Sequence, residues 1–123
     1  MIPVTGKHLN RRSSEMKTIG DIRELEKNED YPSIYELINK PIKEKQKIIE
    51  YMKKAEILAV APAAIRDVLN PEIRIPDLFL MGDGVYEWRS DIVYYLERYD
   101  LELPEEFLDH VFARLNTQNK DEK

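Results

Sequence analysis

The residues best suited to chemistry are concentrated in one stretch, MGDGVYEWRSD, residues 81–91. Two carboxylates held close together could serve as a general acid and base or as metal ligands. Tyrosine, tryptophan and arginine instead favour protein interfaces. Local structure explains Asp83 as a turn residue and Asp91 as a residue of a helix start. The pair without a structural assignment is Glu87 and Arg89.

A metal-dependent reading of this stretch depends on where the carboxylates point. Pro76-Asp77, followed by Glu87-Trp88-Arg89, loosely matches the PD…(D/E)-x-K pattern of divalent-metal nucleases, with arginine in place of lysine. The expected strand register puts Asp77 and Glu87 on opposite faces, and arginine does not deprotonate to act as a base. Both points argue against a nuclease of this type. A small metal-dependent hydrolase using carboxylates near the hairpin is kept as an alternative hypothesis.

Other catalytic constellations have little support in the sequence. The two histidines are His8, in a polar segment, and His110, beside the apolar stripe of a helix and four residues after Glu106. A Glu106–His110 contact is geometrically possible, but a metal site needs another ligand. The chain has four glycines and no phosphate-binding loop motif. We predict no catalytic residue, no metal site and no cofactor.

The strongest structural signal is a β-hairpin over residues 78–89. Asp83-Gly84 is typical of a two-residue turn, which would set Gly82 opposite Val85. One face of the hairpin then collects apolar and aromatic residues, namely Phe79, Met81, Tyr86 and Trp88. Ser90 is expected to cap the next helix.

That helix has a buried side and an outward side. Its predicted buried residues are Ile92, Tyr95, Leu96 and Tyr99. Tyr94 and Arg98 lie four residues apart on the other side, and Arg89 also points outward. We therefore predict a partner-binding surface formed by Glu87, Arg89, Tyr94 and Arg98.

The remaining elements predict one domain. Residues 1–15 are expected to form a flexible basic tail, with Met16 as an alternative start, and 117–123 a flexible polar tail. Within 16–116, Thr18 resembles a helix N-cap, Pro41 opens a helix, and EILAVA at 56–61 favours a buried strand. Residues 63–69 fit a helix or a strand equally well. The fold class predicted is α+β, with a small antiparallel sheet around the hairpin packed against several helices.

Charge and composition narrow the function classes. Residues 83–123 carry five basic and eleven acidic residues, a net charge of −6. Nucleic acid is therefore not the expected ligand, because phosphate binding requires clustered lysine and arginine. The chain has no cysteine, and no apolar run approaches membrane-spanning length. We expect a cytoplasmic protein, without nucleic-acid or membrane partners, whose acidic surface suits a basic protein partner. The oligomeric state is not predicted.

Residues 83–110, about a quarter of the chain, also resemble a group of proteins. The pattern D-G-x-Y-x-W-x-S-D, then Y-Y, then L-P-x-x-F-x-x-H, at residues 83–110, resembles the C-terminal region of small uncharacterised bacterial proteins. Their size and acidic character are similar to those of immunity proteins that neutralise toxins. The resemblance implies no activity. The acidic C-terminal third, the outward aromatic–arginine cluster and the lack of a reactive constellation together predict a non-enzymatic interaction protein, and the similarity in size and charge suggests an immunity or antitoxin type. A structural subunit of an oligomer is the remaining hypothesis.

Overall fold

The computed structural model describes residues 16–61, 65–75 and 77–121, with side chains as far as residue 117. The described residues form helices α1 Arg23–Glu26, α2 Lys45–Lys53, α3 Ser90–Tyr99 and α4 Glu105–Asp121, with a 3₁₀ helix at Ile34–Glu36. The strands are β1 Lys17–Ile19, β2 Glu56–Ala61, β3 Ile65–Arg66, β4 Arg74–Ile75, β5 Leu78–Gly82 and β6 Tyr86–Arg89. The α+β class predicted from the sequence is confirmed.

The main sheet is mixed, which corrects the prediction of an antiparallel sheet. Its strand order is β1-β6-β5-β2, and β1 runs parallel to β6. Thr18 was expected to cap a helix; it lies in β1, and its hydroxyl donates to the Asp21 carboxylate 3.1 Å away. Gly20, at φ +100°, turns the chain before the single turn of α1. Strand pairing with β6 therefore prevails over the local helix signal.

The β5–β6 hairpin forms where predicted, but its register differs. Gly82 lies opposite Glu87, and Met81 opposite Trp88. The Asp83 N–H donates to the Tyr86 carbonyl, so the loop is Gly84-Val85 rather than Asp83-Gly84. The observed pairing is shifted by two residues from the predicted pairing. A shift of two residues leaves each side chain on the face of the sheet that was predicted for it. Met81, Tyr86 and Trp88 are accordingly buried, as predicted.

The segment that the sequence left undecided contains a short strand. Ile65–Arg66 pairs antiparallel with Arg74–Ile75 in a separate two-stranded sheet. Residues 62–64 lie outside the described residues. The connection between the two strands includes Asp67, which is completely buried.

Helices pack against the main sheet and against one another to form the core. α3 packs on β5 and β6, and α2 packs against α3 and α4. Ser90, predicted as the cap of α3, is instead its first residue, and its hydroxyl accepts from the Phe79 N–H. The largest fully buried side chains are Trp88, Tyr95, Phe107, Ile34, Ile48, Ile49, Met52, Ile92, Leu96, Leu101, Val111 and Asp67.

Candidate functional site

Asp83, at the hairpin turn, connects the sheet to two helices. One carboxylate oxygen, Oδ1, accepts from the N–H groups of Val85 and Tyr86 at 2.9 and 2.7 Å. The other, Oδ2, accepts from the Tyr51 hydroxyl of α2 at 2.5 Å and lies 2.8 Å from His110 Nε2 of α4. The side chain is 6 % exposed. Asp83 thus fixes the turn and brings three elements together.

Arg114 completes this group, which we call the Asp83 cluster: Tyr51, Asp83, His110 and Arg114. Its Nη1 donates to the Asp83 carbonyl oxygen at 2.9 Å and to the Tyr51 hydroxyl at 3.3 Å. It also lies 3.7 Å from the carboxylate. The Asp83 carbonyl is available because the Tyr86 N–H bonds to the carboxylate. The Arg114 side chain, 41 % exposed, is more open to solvent than those of Asp83 and His110.

The protonation states of the cluster follow from these bonds. Burial alone would raise the pKa of Asp83, but hydrogen bonds from Tyr51, the Tyr86 and Val85 N–H groups and His110 outweigh it, so the pKa is lowered. Burial, then the bond to Asp83, raises the pKa of Tyr51 to about 12. At neutral pH, Tyr51 is therefore a neutral hydrogen-bond donor and Asp83 a carboxylate, so Tyr51 is not an activated nucleophile.

His110 is held by aromatic contacts as well as by Asp83. Its ring lies edge-on to Tyr86, with centroids 4.8 Å apart, and stacks with Phe107 at 6.3 Å. Its partner is Asp83 rather than Glu106, whose carboxylate bonds to Lys17. His110 is therefore paired with Asp83, and not with Glu106 as the four-residue spacing suggested.

The cluster borders the cleft between α2, α4 and the hairpin turn. This cleft has a volume of about 540 Å³. Tyr51 and Arg114 line it beside the apolar side chains of Phe112 and Leu115. Its remaining lining residues are Glu44, Lys47, Glu50, Lys54, Ala55, Glu56, Gly82, Asp83, Gly84 and Asn116. The cleft thus combines an apolar wall with fixed polar groups, as ligand and interface pockets do.

Charges within the cleft largely cancel. Lys47 pairs with Glu44 at 2.9 Å, and Arg114 faces Asp83. Lys54, Glu50 and Glu56 make no ion pair within the part of the chain that the structure describes. These three leave a net charge of −1 at the cleft, which is compatible with a basic ligand.

Two of the predicted partner-binding residues are engaged within the molecule. Arg89 donates from Nε and Nη2 to the Asp91 carboxylate at 3.1 and 2.7 Å and from Nη1 to the Leu25 carbonyl. Tyr94 donates its hydroxyl to Asp67 at 2.6 Å. Arg89 was expected to point outward, but its guanidinium turns inward and ties α1 to the start of α3.

The other two predicted residues differ in exposure. Arg98 is exposed, with its guanidinium 5.8 Å from the centre of the Tyr99 ring. Glu87 is only 9 % exposed, and its carboxyl group makes no hydrogen bond to any described residue. Burial raises the pKa of its carboxyl. The four predicted residues do not form one outward surface, and whether any of them contacts a partner stays a prediction.

A second carboxylate cluster surrounds Asp67, and we call Asp67, Tyr94 and Tyr99 the Asp67 cluster. Oδ2 accepts from the Tyr94 and Tyr99 hydroxyls at 2.6 and 2.5 Å. Oδ1 accepts from the Leu69 and Asn70 N–H groups. Burial opposes ionisation, but the two hydroxyls and two N–H groups outweigh it, and the pKa of Asp67 is lowered. The cluster ties the β3–β4 connection to α3.

Sequence reasoning missed both clusters. It assigned Asp83 only to the turn and did not consider Asp67 or Tyr51. The four residues of the Asp83 cluster come from three elements, and only His110 and Arg114 show a helical spacing. These three elements are far apart in the sequence and come together only in the folded chain, so no local sequence pattern predicts their contacts.

The described residues contain neither a metal-binding group of side chains nor a membrane-spanning helix. No group of three or more His, Cys, Asp or Glu side chains is arranged there to hold a metal ion. No described helix is both long and apolar enough to cross a bilayer.

Comparison with known proteins adds no family to this α+β domain. No family model matches the chain, and no curated protein or solved structure matches it significantly. The site must therefore be interpreted from its own geometry.

Proposed function

We propose that this protein acts by binding another protein, without catalysis of its own, and that the cleft beside the Asp83 cluster receives the partner. The observation that carries the proposal is the fixed position of Tyr51 and Arg114 at the edge of an open, partly apolar cleft. Tyrosine and arginine dominate the binding energy of many interfaces. Side chains that are already ordered lose less entropy on binding.

The charge of the molecule indicates the kind of partner. The chain carries a net charge of −5, with a net of −6 over residues 83–123. The cleft contributes unpaired Glu50 and Glu56 against Lys54 among the described residues. A partner with a basic contact surface would gain both attraction and a faster association rate. A role of immunity or antitoxin type, in which a small acidic protein blocks a basic one, fits this character.

The test compares the cleft with the surface predicted from the sequence. Affinity capture from the native lysate identifies candidate partners, and calorimetry with each purified candidate measures Kd. Glu50→Lys reverses an exposed charge in the cleft, so we expect Kd to rise about tenfold or more. Glu36→Lys, an equivalent change at an exposed position of the 3₁₀ helix, should leave Kd within about twofold.

Two outcomes would contradict the proposal. One is that no captured protein binds once purified. The other is that Glu50→Lys leaves Kd unchanged while Arg98→Glu weakens binding, which would favour the surface around α3 predicted from the sequence.

The Asp83–His110 bond supports one alternative function. A carboxylate bonded to one histidine nitrogen orients the ring and promotes proton transfer at the other nitrogen. His110 also lies in a shallow depression with Arg114 and Thr117. A hydrolase that uses this pair would lose activity in His110→Gln. Inactivity of the wild-type protein on phosphodiester and glycoside substrates, with and without divalent ions, would eliminate it.

A further inference from the structure

The β2 strand forms an open edge of the main sheet. It pairs with β5 on one side and with no other described strand on the other side. Five of its six residues are exposed, in contrast to the buried strand that the sequence favoured. The opposite edge, β1, has three residues and carries Lys17. An exposed apolar edge strand presents unpaired backbone groups that can template pairing with another chain.

A β-bulge gives this edge an apolar side. Ile57 lies opposite Met81 and Val60 opposite Phe79, with the register shift between Ile57 and Ala59. Because Phe79 and Met81 are two residues apart on β5, they share a face. Ile57 and Val60 therefore lie on that same face, although their odd spacing would otherwise separate them. They are 52 and 58 % exposed, so they extend the apolar face of the sheet beyond the helices.

We propose that β2 pairs antiparallel with β2 of a second copy of this chain, across a two-fold axis at Ala59. The pairing joins the two four-stranded sheets into one continuous sheet. It satisfies the open backbone edge of both copies and places Ile57 and Val60 of both copies on one apolar patch. A two-fold axis uses the same surface on each copy, so one unpaired edge completes the assembly.

The charge pattern of the strand favours a second copy as the occupant. Within EILAVA, the only charged residue is Glu56, at the end of the strand. Antiparallel pairing about Ala59 puts the two Glu56 residues at opposite ends, roughly 20 Å apart at about 3.3 Å per residue. This distance exceeds the screening length of roughly 8 Å at physiological salt. Two molecules with a net charge of −5 each therefore meet at an uncharged segment.

The dimer would also border the cleft. Ala55 and Glu56 line it and lead into β2. Across the proposed axis, Ala61 of the second copy is the described residue closest in register to Glu56. Each cleft would thus gain an additional wall from the second copy. The dimer does not depend on the proposed partner, since it uses the edge strand alone.

Sedimentation velocity over a wide concentration range tests the association. The wild-type protein should sediment as a dimer and Val60→Lys as a monomer, because a lysine on an edge strand opposes pairing. Tyr35→Lys replaces another exposed hydrophobic residue, away from β2, and should remain a dimer. Far-UV circular dichroism checks that each variant is folded. A wild-type monomer at all concentrations, or a folded Val60→Lys dimer, would overturn the proposal.

Disulfide trapping tests the register. The chain has no cysteine, so Ala59→Cys introduces a single thiol at the proposed axis. Opposed residues in antiparallel strands have Cα atoms about 4.5–5.5 Å apart, within the range that a disulfide spans. Mild oxidation should convert Ala59→Cys to a covalent dimer and leave Val85→Cys, at the hairpin loop, largely monomeric. Equal cross-linking of the two variants would contradict the proposed axis.

Discussion

The Asp67 and Asp83 clusters use the same chemistry in two different surroundings. Each carboxylate accepts hydroxyl bonds from tyrosine and N–H bonds from its own turn. Asp67 is completely buried. Tyr51, bonded to Asp83, instead lines a cleft of about 540 Å³. The bonding pattern alone therefore does not identify a functional site. What distinguishes the two clusters is that Tyr51 lines the cleft, whereas the partly buried Tyr94 and Tyr99 do not.

The Asp67 cluster should produce the largest effect on stability. Asp67→Ala leaves the hydroxyls of Tyr94 and Tyr99 and two backbone N–H groups without their acceptor. We expect the free energy of unfolding to fall by roughly 3–4 kcal/mol, because the substitution removes four hydrogen bonds to one buried carboxylate. Urea unfolding followed by circular dichroism measures it, with exposed Asp30→Ala as the control. A loss below about 1 kcal/mol would show that the cluster is not structural.

The Asp83 cluster should have a smaller, pH-dependent effect on stability. Asp83→Ala is expected to cost roughly 2 kcal/mol at pH 7, because water in the cleft can replace part of the lost bonding. The folded-state pKa of Asp83 is lowered, so its contribution is present above the unfolded pKa of about 4. It is lost as the pH falls through the lower folded value. The difference in the free energy of unfolding between the two proteins should therefore shrink as the pH falls below about 4, and a constant difference would contradict the assigned pKa direction.

Substitution of Glu87 should have the smallest effect on the free energy of unfolding, and it should stabilise the protein rather than destabilise it. Glu87 is buried, its carboxyl group has no hydrogen-bond partner among the described residues, and burial raises its pKa. A carboxyl with a raised pKa contributes most below its unfolded pKa, and this contribution is lost as the pH rises through the folded value. We expect Glu87→Gln to stabilise the protein by ~0.5–1 kcal/mol at pH 7 and by nothing near pH 3. Glu36→Gln, at an exposed position, is the control. Destabilisation at pH 7 would reveal a partner for the carboxylate.

The sequence predicted those parts of the fold that depend on local pattern. Alternation and the Asp83-Gly84 dipeptide located the hairpin, and helical spacing placed Ile92, Tyr95 and Leu96 in the core. The hairpin register was wrong because the Asp83 side chain takes the Tyr86 N–H. The parallel β1 strand was missed because its pairing with β6 connects residues about 70 positions apart.

The site could not be predicted in the same way. The sequence indicated which side chains were chemically capable, but not where their partners lay. Arg89 and Tyr94 were predicted as surface residues from helix and strand periodicity, yet Leu25 and Asp67 bind them. Periodicity defines which face a residue occupies; it does not reveal whether another segment covers that face.

The most direct test of the account is a map of where the partner binds. Once a partner is confirmed by calorimetry, amide chemical-shift changes can be recorded on titration of the labelled protein with it. The account predicts that the changes concentrate at Glu50, Tyr51, Asp83 and Arg114 and leave Asp67 and its neighbours unaffected. Changes centred on Arg98 and the exposed side of α3, with the cleft unaffected, would contradict it.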